Sequence, residues 1–270
     1  MNEAQISGPA AQAAAGFQER AEAVQAFILH HLADQSALRL PYLHLPLPNF
    51  VSLHGLMVVL AALLAVLVLV RGRPRRDGAP RGLANLLEFF VVFVRDSMVR
   101  PYFGEEDGRR MTPLFCSFFV FVLLMNLVGL VPCGYTATAN ISVTGALAAV
   151  TLGFMILGAM FRHGPVGFLK GFMPPGVPWP VLLLLVPVEL AGLVVKAFAL
   201  TIRLFANELA GHLVLLFILG LVVILGAKAL PFVLLGVMIY ILEVAVAFLQ
   251  AYIFTLLSAI FIGQRYHPEH

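Results

Sequence analysis

The two longest apolar stretches of this 270-residue chain lie at its C-terminal end, and both are longer than a membrane requires. Val181 to Gly220 is an apolar run of about 40 residues and Ala227 to Ile262 one of about 36. As helices they would extend about 54–60 Å, against a hydrocarbon core of about 30 Å. They must tilt strongly or break. A helix lying across the bilayer makes a poor lipid-facing span but a good wall against a curved partner. With 61% hydrophobic and 11% charged residues and a mean hydropathy of +0.96, the composition is that of an all-α polytopic membrane protein.

The net charge of +3 is small, and the basic residues sit between apolar runs, so they report topology and not nucleic-acid binding. Cys116 and Cys133 would lie about 25 Å apart on one helix, too far to bridge. The first 16 residues show neither the basic nor the apolar region of a cleavable signal. No cofactor and no metal are expected: the glycines of 163–180 lack the Gly-Lys-Ser/Thr continuation of a phosphate cradle.

Residues 1–52 read as an extracytoplasmic segment. It holds an amphipathic helix from Ala10 to Leu32 and an extended approach enforced by Pro41, Pro46 and Pro48. Residues 53–270 form the membrane domain. Leu53 to Val70 spans and stops at five arginines within 71–81, which places that side in the cytoplasm and the N-terminus outside. Leu83 to Val99, broken by Asn85, Glu88, Arg95 and Asp96, reads as an interfacial helix, and Arg100 to Arg110 as a charged surface loop. Leu114 to Val131 spans outward, with Asn126 as a helix-packing hydrogen bonder. Ile141 to Phe161 returns, and 163–180 is a loop. The expectation is about five membrane-embedded helices plus one interfacial helix, ending in a long tilted hairpin over 181–263 with the C-terminus in the cytoplasm. Lys228 is an exception to the positive-inside pattern.

Arg203 is the residue that demands explanation. A charge at bilayer depth costs roughly 2.5–3.5 kcal/mol on insertion scales, and guanidinium does not lose its proton. Glu208 sits about 140° around the helix from it. Glu189 shares its face but lies about 21 Å away along the axis. Ala199, Ala206, Asn207 and Ala210 keep the surroundings of Arg203 small or polar, which lets another helix approach. The carboxylate facing Arg203 is therefore expected on a different polypeptide.

A turn near residue 227 would set His212 level with Glu243, Arg203 with Gln250, and Glu189 with Arg265. His212 and Glu243 then lie about 13 Å outward of Arg203, with Glu208 one turn before His212. Imidazole and carboxylate can pass protons near neutral pH, and Glu189 offers a second carboxylate toward the cytoplasm. The pattern is two acid-lined half-paths kept apart by a permanent cation, which blocks a leak. Asn207 and Gln250 read as polar lining. Lys196 has two readings, a functional role or a snorkel to the inner headgroups. On an ideal helix His212 points about 180° from Arg203, which leaves two routes open: along the far side of the helix, or through a deformation at Gly211.

Arg203-Leu-Phe-Ala-Asn207 followed by Ala210-Gly-His212, Glu189 fourteen residues before the arginine, and Gln250-Ala-Tyr-Ile-Phe254 seven after Glu243 resemble the a subunit of F-type ATP synthases over roughly the last 230 residues. The resemblance implies a non-catalytic, proton-translocating stator. Its partners would be a rotating c-ring of small two-helix subunits with a membrane carboxylate, b-type peripheral stalk subunits and, indirectly, the catalytic headpiece, in a bacterial inner membrane. It implies that Arg203 is the essential arginine. His212, Glu243, Asn207, Gln250 and Glu208 would line the outer half-channel, and Glu189 the inner. Histidine on the first helix and glutamate on the second is the mitochondrial-type arrangement. Glu208 stands where the family usually has an uncharged residue.

Two other classes compete. A self-contained secondary transporter should show inverted repeats around a midplane site, and no such repeat is evident. A purely structural assembly subunit leaves Arg203 unexplained.

Overall fold

The computed structural model describes residues 16–26, 37–40, 43–46, 53–71, 82–131, 137–173 and 176–266. Residues 16–26 form α1, within the amphipathic helix expected from Ala10 to Leu32. Two short strands follow, β1 (Ala37–Leu40) and β2 (Leu43–Pro46), paired antiparallel with Leu38 opposite Leu45. They are the only β-structure among the described residues and agree with an extended approach. Most of the arginine cluster, Cys133 and the last four residues lie outside the described residues.

All other regular structure is helical: α2 (Leu53–Arg71), α3 (Leu83–Val94), α4 (Arg100–Leu130), α5 (Ile141–Gly153), α6 (Ala159–Lys170), α7 (Trp179–Leu225) and α8 (Leu230–Tyr266). A π-helical turn at Arg95–Val99 joins α3 to α4, and another at Phe154–Gly158 joins α5 to α6. Among the described residues, five helical segments are long and apolar enough to cross a membrane: His54–Arg71, Ala84–Leu130, Ile141–Lys170, Trp179–Leu225 and Leu230–Tyr266. The chain is an all-α polytopic membrane protein.

Two sequence expectations need correction. The charged stretch Arg100 to Arg110 is helix and not loop, because its charges pair along the helix surface. Arg110 meets Glu106 at 3.0 Å, and Arg100 meets both Asp96, at 3.9 Å, and Glu105. The break is confined to Gly104, whose φ of 72° only glycine adopts without strain. Similarly, helix persists through most of 163–180. α6 runs to Lys170 and is interrupted only at Gly164 (φ 73°), just before Pro165, so the connection to α7 shrinks to 171–178.

α7 has 47 residues and α8 has 37. At about 1.5 Å per residue α7 is about 70 Å long, longer than the sequence suggested. A 3₁₀ turn, Gly226–Ala229, closes the hairpin where it was expected. α8 buries Glu243, Ala247, Gln250, Ala251, Phe254, Ser258, Ala259, Ile262 and Gly263. This stripe of mostly small residues lets neighbouring backbones come close, and α8 packs most extensively on α4. Phe118 anchors that contact, edge-on to both Phe254 (6.0 Å) and Phe154 (6.5 Å). The outer surface stays apolar, with Leu183, Leu184, Phe198, Phe217 and Leu234 exposed, as suits a protein solvated by lipid tails. At the turn end α1 lies against α7: Arg20 Nη1 donates to the carbonyl of Ile224 at 3.4 Å, and Val24 covers Gly220.

Candidate functional site

The α7–α8 hairpin keeps one register along its length. At the end remote from the turn, Arg265 Nη2 donates to Glu189 Oε2 at 2.5 Å. Midway, the Glu243 carboxylate fills the space that a side chain on Gly211 would need. Toward the turn, Gly236 faces Ile218, whose Cγ2 is 3.4 Å from where a Cβ would sit. These pairings match the levels expected from the sequence, with His212 one residue from the Gly211–Glu243 contact.

Arg203 is exposed, and so are Ala199, Ala206 and Ala210 on the same face. The opposite face, Leu200, Thr201, Leu204, Glu208 and Gly211, is buried. Among the described residues no carboxylate pairs with Arg203 and no side chain accepts a hydrogen bond from it. Gln250, expected at its level, is 8% exposed and makes no hydrogen bond to it. Asn207 is half-buried and its Nδ2 is shielded without a partner. The helix thus displays a permanent cation and a row of small side chains outward, while Glu208 faces the bundle, as Glu243 of α8 does.

Those acids converge. Glu208 is 5% exposed and Glu243 9%, and Glu208 is close enough to feel the charge of Glu243. Gly211 lies one turn after Glu208 on the same face, so a carboxylate seated on Gly211 comes within reach of Glu208. His212 is half-buried beside them. The structure therefore brings Glu243 to the level of Glu208, with His212 one turn after Glu208 on α7, and turns Arg203 to another face. Gly211 acts here by giving Glu243 its seat, and α7 stays helical through it.

At the other end, Lys196 Nζ donates to Gln264 Oε1 at 3.0 Å and lies 5.2 Å from the centre of the Phe261 ring. Lys196 is close enough to Glu189 and Arg265 to feel both charges. Arg265 also stacks on Phe172 at 4.4 Å. The cluster is extended by Arg162, which pairs with Asp107 at 2.7 Å and covers Tyr266 at 4.7 Å. Lys196 is thus tied to α8. Gln264 was missed from the sequence because it falls more than a turn away from strict register with Lys196.

Asn126 does not make the helix-packing hydrogen bond expected of it. It is 0% exposed, and neither amide atom has a partner. Nearby, Tyr240 Oη donates to the Leu130 carbonyl at 3.3 Å and ties α8 to the end of α4. Among the described residues no three His, Cys, Asp or Glu side chains gather as a metal site.

The family model described as ATP synthase A chain matches residues 55–263. The chain belongs to that family. ATP synthase subunit a of Myxococcus xanthus is 43% identical over 235 residues, covering 82% of this chain and 76% of the relative. ATP synthase subunit a 2 of Chlorobaculum tepidum is 37% identical over 274 residues, covering 94% and 76%. The subunit a of Anaeromyxobacter dehalogenans strain 2CP-C is 44% identical over 215 residues. There the match covers 78% of this chain but 56% of the relative, so the chain spans little more than half of that protein. The family match begins at Gly55, two residues into α2, and takes in Glu189, Lys196, Arg203, Asn207, Glu208, His212, Glu243 and Gln250, while Gln264 and Arg265 lie just beyond it.

Proposed function

We propose that this chain is the proton-translocating, non-catalytic stator of the membrane sector of a rotary ATP synthase. It presses α7 and α8 against a ring of small two-helix subunits whose membrane carboxylate supplies the counter-charge that Arg203 lacks. One observation carries the reading: Arg203 is displayed outward from the middle of a long apolar helix with no acid of the described chain against it. A guanidinium stranded at such depth is costly and marks an ion pathway. Its alanine neighbours leave room for a moving helix to pass.

In this reading protons enter from the turn end through Glu208, His212 and Glu243, with Asn207 and Gln250 as lining. They reach the ring carboxylate, travel round with the ring, and leave past Glu189. Arg203 prevents direct passage between the half-paths by repelling protonic charge and drives the proton off the arriving carboxylate by pairing with it. The arginines of 71–81 put the turn end outside and the C-terminus in the cytoplasm, in a bacterial inner membrane. The b-type stalk subunits and the catalytic headpiece complete the assembly.

The test uses the assembled complex in inverted vesicles. Arg203→Ala abolishes ATP-driven proton pumping while ATP hydrolysis by the headpiece continues. Pumping at the unmodified rate by Arg203→Ala overturns the assignment.

A further inference from the structure

We infer that Glu208 and Glu243 form a single acid pair that holds one proton between them, and that Glu208 is the donor and acceptor through which Glu243 is recharged on the turn side of Arg203. This deepens the proton-path reading above and rests on it.

The geometry comes first. Glu208 projects from α7 and Glu243 from α8, and Gly211 leaves the gap in which the Glu243 carboxylate lies. Any side chain at 211 would push that carboxylate away. Both glutamates are at least nine-tenths buried, and the Glu243 carboxylate is seated at Gly211, one helical turn from Glu208. Among the described residues no lysine or arginine forms an ion pair with either. Two carboxylates facing one another away from water cannot both ionise, so the pair keeps a proton.

Few other titratable groups face the pair. On the same helix His212 adjoins it, while Arg203 points elsewhere. On α8, Tyr240 lies one turn away with its phenol engaged at Leu130. α5 and the Ala137–Ala139 turn have no ionisable side chain. α4 carries only Cys116 between Leu114 and Leu130. Lys228 in the hairpin turn, His54 at the start of α2, and Glu19, Arg20 and Glu22 of α1, whose Arg20 is engaged at the Ile224 carbonyl, are the remaining described groups toward that end. The proton is therefore shared between the two acids, with His212 as the neighbour that delivers it. Passing it from Glu208 to Glu243 leaves the net charge of the pair unchanged, so the transfer separates no charge in the apolar interior.

The test is passive proton flux through the membrane sector, stripped of its catalytic headpiece and reconstituted in liposomes. Flux is driven by a potassium diffusion potential and followed against pH on the turn side. The flux falls as pH rises and the pair loses its shared proton. Glu208→Gln removes both the relay acid and the repulsion that retains this proton, so the flux drops severalfold and the midpoint of what remains moves about one pH unit toward acid. Glu208→Asp, which preserves a carboxylate, restores the flux and the original midpoint, and Glu243→Gln lowers the flux and moves its midpoint as Glu208→Gln does. A Glu208→Gln complex with an unchanged midpoint, or a Glu208→Asp complex shifted as far as Glu208→Gln, overturns the pair. Should Glu208→Gln not assemble, Gly211→Ala provides the second arm: its methyl group displaces the Glu243 carboxylate, and the midpoint moves in the same direction or the inference falls. The outcome is separate from the Arg203→Ala experiment, which can uphold the motor while this relay fails.

Discussion

Arg265, one residue from the end of α8, donates a 2.5 Å hydrogen bond to Glu189, ten residues into α7. The contact closes the open end of the hairpin, opposite the 226–229 turn. It also fixes the acid proposed as the inner exit. The Arg265 side chain is 14% exposed and that of Glu189 42%, so the pair sits at a boundary and is partly screened.

Breaking this pair from one side should cost more than removing it. Arg265→Gln alone is expected to lower the thermal stability of the purified complex. The Glu189→Gln/Arg265→Gln double variant should be less destabilised than the two single variants added together, with a coupling of about 1–2 kcal/mol. Strict additivity in the cycle would show that the contact does not hold the hairpin closed.

Gly263 offers a test of how closely the helices pack. A Cβ there would fall 2.7 Å from Tyr102 Cβ and 3.0 Å from the Tyr102 carbonyl oxygen, and backbone cannot step aside cheaply. Gly263→Ala should destabilise by about 1–3 kcal/mol. Gly153 has nothing within 4 Å of its Cβ position and lies in a helix, so Gly153→Ala should be neutral or stabilise by up to about 1 kcal/mol. Equal thermal midpoints for the two variants would contradict the close α4–α8 contact.

Asn126 is the clearest uncompensated polar group. Its buried amide has no partner on either atom, and an unmade hydrogen bond costs about 1–3 kcal/mol. Asn126→Leu should therefore raise the melting temperature of the complex. A lowered one would mean that the amide is satisfied in the assembled motor, by water or by a neighbouring subunit.

Much of the fold was legible because lipid solvation makes composition and length decisive. The apolar runs, the closing turn and the levels of Glu189 with Arg265 and His212 with Glu243 follow from a rise of about 1.5 Å per residue along a straight hairpin. The isolation of Arg203 from Glu208 was legible too, since 100° per residue sends them to different faces. What misled was charge density. Arg100 to Arg110 and 163–180 look like loops by their glycines, prolines and charges, yet i,i+4 pairing carries helix through the first, broken only at Gly104, and helix runs on to Lys170 in the second, broken at Gly164.

The sequence by itself determined that a cation would be stranded on a long apolar hairpin and which polar residues would share its depth, because helical geometry is periodic and bilayer thickness fixed. Only the tertiary structure decided which of those residues meet. That Glu243 rests on Gly211 beside Glu208, that Lys196 reaches Gln264, and that Asn126 meets no partner all depend on how two surfaces interlock. One missing Cβ or a few tenths of an ångström decides such contacts, and no periodicity encodes them.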